Sequence, residues 1–351
     1  MLMIMIINTD ILKKLLFVAV LLFMSACQKN QTTLHKHQLY VFGTLVDINI
    51  WHENPKKVEQ AVSAISGKFN AMHHQWHAWK SGRLQNINQQ LQAGETVELT
   101  QEESEFIKQT IQLAKDSGHL FNPTIGKIIN IWGFHTDDYP ILTPPPAAEV
   151  INQLTAQQLD VTALQLAGNQ LSSTNSNIWL DFGGIAKGYA IDLAITILRN
   201  HNIHDGIINA GGDLRSIGSK GNRSWRVAIQ SPTDWSTLAD FEIQKDESIF
   251  TSGNYQRYKE FDGKRYAHII NPSTGMPVEQ IVSATVIADH GIKADAAATA
   301  LVVAGNEWYK TAQAMGIEQA LIINEKHQCF TTKAMLDRLE NLQIECAVID
   351  F

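Results

Sequence analysis

The sequence predicts an α+β fold, one large domain over residues 39–351 in which strands and helices mix without a regular βαβ rhythm. Three observations predict it. Alternating apolar and polar residues mark strands in both halves of the chain, at residues 39–50 and 283–288. A long apolar stripe at helical spacing follows the first of them, running Val58, Val62, Ile65, Phe69, Met72, Trp76 and Trp79. No repeat or low-complexity segment divides the chain, and its one strong break, Pro144-Pro145-Pro146, reads as a surface connection.

In chain order, the N-terminus stands outside that domain. Lys13 and Lys14 precede an apolar run over residues 15–24, far short of the roughly 20 residues that a bilayer-spanning helix needs. Ser25-Ala26-Cys27 follows, so the segment reads as a secretory signal. The cysteine directly after Ser25-Ala26 makes it resemble a bacterial lipoprotein signal, although Met24 stands where such signals usually have Leu. Residues 1–26 would then be removed and Cys27 would carry lipid, with residues 27–38 as a polar tether. The expected location is the bacterial cell envelope, anchored by lipid and facing the periplasm. Gln28 in place of Asp leans toward outer-membrane rather than inner-membrane sorting, and the choice of membrane stays open.

Residues 39–50 read as one strand with Gly43-Thr44 inside it. Asn54-Pro55 opens the long helix, because Asn caps and Pro suits the first turn. A second helix runs over residues 101–116 and is closed by Gly118. Residues 175–182 read as a strand and residues 186–199 as a helix. Short strands follow at residues 206–209, 225–230, 248–252 and 266–270, and an Ala-rich helix at residues 293–303 follows the strand at 283–288. A net charge of -7 gives no basic footprint for nucleic acid. Beyond Cys27 only Cys329 and Cys346 remain, enough for one disulfide but not for a disulfide scaffold.

The most informative segment is Trp179-Leu180-Asp181-Phe182-Gly183-Gly184-Ile185-Ala186-Lys187-Gly188-Tyr189. An apolar run ends in a carboxylate, paired glycines let the backbone approach a ligand, and Lys187 lies in the first turn of a helix. A helix N-terminus with an added cation suits phosphate. Asp295 and Thr299 stand four apart in an Ala-rich helix and share one face. Both offer hard oxygens of the kind Mg²⁺ accepts, although a helix cap and a back-bonded hydroxyl would use the same spacing. His73, His74 and His77 lack the glutamate of a zinc-protease helix and read as helix surface. No Ser-His-Asp set, Walker sequence or Gly-x-Gly-x-x-Gly is present.

Taken together, the motifs resemble the ApbE family of flavin transferases. Residues 181–189 are similar to its central motif, and Asn209-Ala210-Gly211-Gly212-Asp213 to its Asn-x-Gly-Gly-Asp. Ser252-Gly253-Asn254-Tyr255-Gln256-Arg257 matches Ser-Gly-x-Tyr-x-Arg, and residues 268–277 match His-Ile-x-Asp-Pro-x-Thr-Gly-x-Pro. Residues 294–301 resemble Ala-Asp-x-x-x-Thr-Ala-Leu, while Phe121-Asn122-Pro123-Thr124 and Trp132-Gly133-Phe134 complete the series. Asn122 and Asn271 each replace an Asp of the family pattern.

The resemblance implies a T-fold-like domain that cleaves FAD with Mg²⁺, moves FMN to a Thr or Ser hydroxyl of a target protein, and releases AMP. By motif, Gly184 (through its carbonyl), Asp295 and Thr299 would be the metal ligands. Phe42, Trp79, Asn122, Asp181, Lys187 and Ile270 would contact FAD, with Trp79 suited to stacking on a flat ring and Lys187 to phosphate. His268 would be the base. Targets would be membrane redox subunits of the Na⁺-translocating NADH:quinone oxidoreductase or Rnf type. A Mg²⁺-dependent FAD pyrophosphatase and an FAD-binding lipoprotein without chemistry are the alternative readings.

Overall fold

The computed structural model describes residues 32–351 other than 137, 245 and 256; residues 1–26, read as a signal, and Cys27 lie outside the described residues. Its frame is a nine-stranded sheet whose spatial order is also its chain order. The strands are β1 (Thr33–Val41), β2 (Thr44–His52), β3 (Gly206–Ala210), β4 (Asp213–Ile217), β5 (Ser248–Gly253), β6 (Ile281–Ala288), β7 (Gln319–Asn324), β8 (Cys329–Thr332) and β9 (Cys346–Ile349). Neighbours are antiparallel except for β8 and β9, which run parallel. Each strand is therefore laid beside its predecessor, and the functional segments are insertions between them.

The period of two along each strand divides the core. Ile208 of β3 belongs to the main cluster with Val46, Ile48 and Ile50 of β2, whereas Ile207 faces a second cluster with Leu214, Ile249 and Phe241. The main cluster is covered by the helices α1 (Pro55–Gln75), α2 (Gln101–Asp116), α3 (Ala186–Asn200) and α4 (Gly291–Ala304). Every residue of α4 from Ala294 to Ala298 is buried, so this helix is central rather than amphipathic. A third cluster, which includes Ile125, Ile128, Trp132, Ile141 and Ile270, supports the loops around the site.

Local chemistry explains the helix ends. The Asn54 side chain accepts from the Lys57 N–H at 3.1 Å, with Pro55 in the first turn. Thr100 and Glu103 form a reciprocal capping box at the start of α2, and Gly118 beyond its end takes φ +63.

Several expectations are corrected. Residues 39–50 are not one strand but parts of β1 and β2, joined by a two-residue turn at Phe42 (φ +57) and Gly43 (φ +71). Residues 33–38, read as tether, are the first part of β1 and pair with residues 47–52. Residues 175–182 are not a strand. Their polar backbone is satisfied by a side chain and a loop: Asn88 bonds both the N–H and the carbonyl of Leu180, and the Asp181 N–H donates to the Pro123 carbonyl at 2.8 Å. The long helix ends at Gln75, so Trp79 lies outside it. A helix at Arg83–Gln92, rich in Gln and Asn, carries little apolar signal yet buries Leu84, Ile87 and Leu91. Cys329 and Cys346 are disulfide-bonded across β8 and β9. Among the described residues no helix is long and apolar enough to cross a membrane.

Candidate active site

The site is built where α3 and α4 meet. A Cβ on Gly188 would stand 2.2 Å from the Gly291 carbonyl oxygen, so the two helices touch backbone to backbone and only glycine fits. This contact sets the chemistry, because the Gly188 N–H donates to Asp295 Oδ2 at 2.9 Å. Asp192, one turn further along α3, accepts from the N–H groups of Gly291 (2.8 Å) and Ile292 (3.0 Å) at the start of α4, and it pairs with the buried Arg215. Thus α3 fixes the axial position of the helix that carries Asp295 and Thr299.

Beside that crossing, a Cβ on Gly184 would lie 3.2 Å from Thr299 Oγ1. Thr299 Oγ1 is 3.2 Å from Ser252 Oγ at the end of β5. Asp295 Oδ1 has no protein hydrogen bond among the described residues. Burial pushes the Asp295 carboxyl up to about 7, with Asp213 adding to the rise and Lys187 opposing it. A buried carboxylate with a spare oxygen, two neighbouring hydroxyls and a close glycine backbone make an all-oxygen donor set that fits a hard divalent cation. No group of three His, Cys, Asp or Glu stands together among the described residues, the His73, His74 and His77 cluster included.

Lys187 is ion-paired with the buried Asp213, whose other oxygen accepts from the Thr251 N–H at 3.0 Å. Burial pulls the Lys187 ammonium down, but the Asp213 and Asp295 carboxylates outweigh it and hold it above the ordinary value. Asp181 accepts from the Gly183 N–H (2.8 Å) and Trp79 Nε1 (3.2 Å), and burial raises its carboxyl. His268 Nδ1 is 3.1 Å from the Arg257 carbonyl oxygen. A carbonyl only accepts, so Nδ1 carries the proton and Nε2 keeps its lone pair. Burial, then the Arg257 guanidinium, then Lys187 push this imidazole down to about 4, which keeps it neutral near pH 7.

Phe42, Asn122, Asp181, Gly184, Lys187, His268, Ile270, Asp295 and Thr299 line a single cavity of about 560 Å³. Residues from segments more than two hundred positions apart are thereby brought together. Trp79 is the exception. It stacks on Trp179 with ring centroids 5.2 Å apart and lines a separate cleft, meeting the cavity lining through its hydrogen bond to Asp181. Asn122 lines the cavity, but its amide is committed to the loop. It donates to the Leu159 carbonyl at 2.8 Å and accepts from the N–H and hydroxyl of Thr124. An ionised Asp there has no proton for Leu159, which accounts for the amide at this position. The Asn271 side chain accepts from the N–H groups of Ser273 and Thr274, a turn role that Asp would fill equally.

Asp192, Asp213, Ser252 and Arg257 do work that the residue-by-residue reading leaves unassigned. Three of them lie inside quoted motifs, but their partners are distant in sequence and only the fold supplies them.

The sequence profile of the ApbE family matches residues 42–322. The chain is 38% identical over 308 residues to an FAD:protein FMN transferase of Rhodobacter capsulatus, covering 87% of this chain and 58% of that protein. It is 32% identical to the Vibrio cholerae FAD:protein FMN transferase, covering 65% of this chain and 68% of the relative. The chain thus spans little more than half the length of the Rhodobacter protein. The structure is similar to the crystal structure of an ApbE protein from Thermotoga maritima, with TM-score 0.80, 28% identity and coverage of 88% of this chain and 100% of the other. It is also similar to the flavin transferase ApbE from Vibrio cholerae, with TM-score 0.76, 25% identity and the same coverage.

Proposed function

The chain belongs to the ApbE family, and we propose that it is an FAD:protein FMN transferase, which cleaves FAD and joins FMN through a phosphoester to a Thr or Ser hydroxyl of a target protein. The observation that carries this reading is the convergence of Lys187, His268, Asp295 and Thr299 on one cavity, on a fold shared with flavin transferases. Phosphoryl transfer calls for positioning and neutralisation of charge more than for covalent help from the protein.

Asp295, Thr299 and the main chain at Gly184 would hold Mg²⁺, which when bound polarises the diphosphate and stabilises departing AMP. The chain's own residues do the rest. Neutral His268, its Nδ1–H held by the Arg257 carbonyl, takes the hydroxyl proton of the acceptor on Nε2. The freed oxygen attacks the FMN phosphorus, and the bond to the bridging oxygen breaks, so that oxygen leaves with AMP. Lys187, fixed by Asp213, supplies positive charge at the helix end. Phe42 and Ile270 give the cavity apolar wall for the flavin or adenine ring, and Asp181 accepts from adenine or ribose.

Residues 1–26 as a lipoprotein signal, a lipid on Cys27 and a periplasmic face complete the reading, with residues 27–32 as the tether. The acceptors are membrane redox subunits, of the NADH:quinone oxidoreductase or Rnf type, that carry a flavinylation site on the same side. The test is one incubation of the chain with FAD, Mg²⁺ and a candidate acceptor domain. Flavin fluorescence retained on the acceptor in a denaturing gel is the expected result. Free FMN and AMP without labelled acceptor would mean a pyrophosphatase, and unchanged FAD a binding protein.

A further inference from the structure

We infer that Arg257 binds the phosphate of the flavin side of FAD and stabilises the phosphoryl group as it passes to the acceptor. The inference rests on the transferase reading above and assigns a residue that the reading leaves without a role.

The cationic side chains that line the cavity are Lys187 and Arg257, with the neutral His268 beside them. They are not equivalent. Lys187 is ion-paired with buried Asp213, so much of its charge is already compensated. Arg257 has no carboxylate partner among the described residues. Its guanidinium carbon lies over the Tyr139 ring, 5.8 Å from the ring centroid. An Arg that faces a cavity wall without an anion presents its full fork to whatever enters.

Its position suits the reacting phosphorus. The Arg257 carbonyl accepts from both the main-chain N–H (3.2 Å) and Nδ1 of His268, so guanidinium and base belong to one hydrogen-bonded unit. The same side chain stands by the turn between β1 and β2, where a Cβ on Gly43 would be 3.6 Å from Nη2. Its charge also acts on both His268 and Lys187, which places it near the two. The base of the segment is firm. Lys259, two residues on, is fully buried and bonds the Thr143 carbonyl at 3.0 Å, and the strand Tyr258–Phe261 pairs with Lys264–Ala267 just before His268.

In the transfer, the acceptor oxygen forms a bond to the FMN phosphorus as the bond to the bridging oxygen breaks. The hydroxyl proton goes to His268, and the electron pair of the broken bond leaves on AMP. Charge grows on the bridging oxygen and shifts among the non-bridging oxygens of the moving group. A planar fork of N–H donors matches two of those non-bridging oxygens at once.

The test compares the full chain with its R257Q and R257K variants. The readouts are the rate of FAD cleavage or transfer and the affinities for FAD and for riboflavin, which lacks phosphate, by fluorescence quenching. R257Q should lower the rate about 10²-fold. It should weaken FAD about tenfold with riboflavin unchanged, as loss of one charged contact does. R257K should fall between, since lysine restores charge without the fork. Wild-type rate and FAD affinity in R257Q would overturn the assignment. So would equal losses for FAD and riboflavin, which would mean that Arg257 shapes the cavity rather than holding phosphate. If the unaltered chain binds FAD but neither cleaves nor transfers it, the transferase reading fails on its own, while the FAD-to-riboflavin ratio still decides the phosphate contact.

Discussion

Burial acts on His268 and Asp295 in opposite directions, each toward its neutral form. Desolvation pushes the imidazole down to about 4, so it is a neutral acceptor across the physiological range. Its protonated form is lost as pH rises through that value. Transfer should therefore be flat from about pH 8 to 5 on account of this group and fall only as pH approaches 4, and a rate profile checks it. His268→Ala should lower transfer by about 10²–10⁴-fold while FAD affinity changes little. Equal losses in both quantities would remove it as the base. Asp295 is a carboxylate held in a place that disfavours its charge. Asp295→Asn can still accept from the Gly188 N–H, and it should melt at the same temperature or a few degrees higher in a chelator, yet lose Mg²⁺-dependent turnover. A melting temperature that drops together with activity would mean a purely structural carboxylate.

Among elements, the crossing of α3 and α4 matters most. Gly188→Ala places a methyl against the Gly291 carbonyl, where neither backbone can yield cheaply. It should cost about 3 kcal/mol, read as a shift of the denaturation midpoint. Gly184→Ala meets Thr299 Oγ1 at 3.2 Å and not a backbone atom, so the fold should survive while metal affinity falls; titration with Mn²⁺ separates the two effects. Helices with a strong local code were legible in the sequence. Asn54-Pro55 and the Thr100/Glu103 box fix α1 and α2 by chemistry within a few residues, whereas α3 begins after Ile185 without a side-chain cap. The segment at 175–182 was not, because its hydrogen bonds go to Asn88 and to the loop at 123–124, partners that alternation of apolar residues cannot reveal. The turn at Phe42-Gly43 was hidden because the strand-like pattern resumes at Thr44-Leu45-Val46 directly after it. Trp79 fits the helical spacing of the stripe yet lies beyond the helix, since spacing alone does not mark where a helix stops.

At the scale of the whole molecule, a sheet that runs in chain order works as a rack. Long insertions after β2 and β5 supply residues to the cavity that Asp295 and Thr299 of α4 also line, so motifs far apart in sequence face one cavity. Motifs alone therefore named residues that face this cavity, whereas the partners of Asp192, Asp213 and Arg257 come only from the fold. The disulfide between Cys329 and Cys346 ties the last strand to the sheet, which suits an oxidising compartment. Cys27→Ser in the full chain should leave its transfer rate unchanged and release it from the membrane fraction. Retention of that variant in membranes would argue against the lipid anchor.

In the proposed reaction a diphosphate and a divalent cation meet between α4 and the Gly183-Gly184 turn. Crystals grown with FAD and Mn²⁺ would test this directly through anomalous scattering. One manganese peak is expected within coordination distance of Asp295, Thr299 and the Gly184 main chain, with the phosphates of FAD beside it and near Arg257. Bound FAD with no peak there, or with its phosphates on another wall of the cavity, would contradict it.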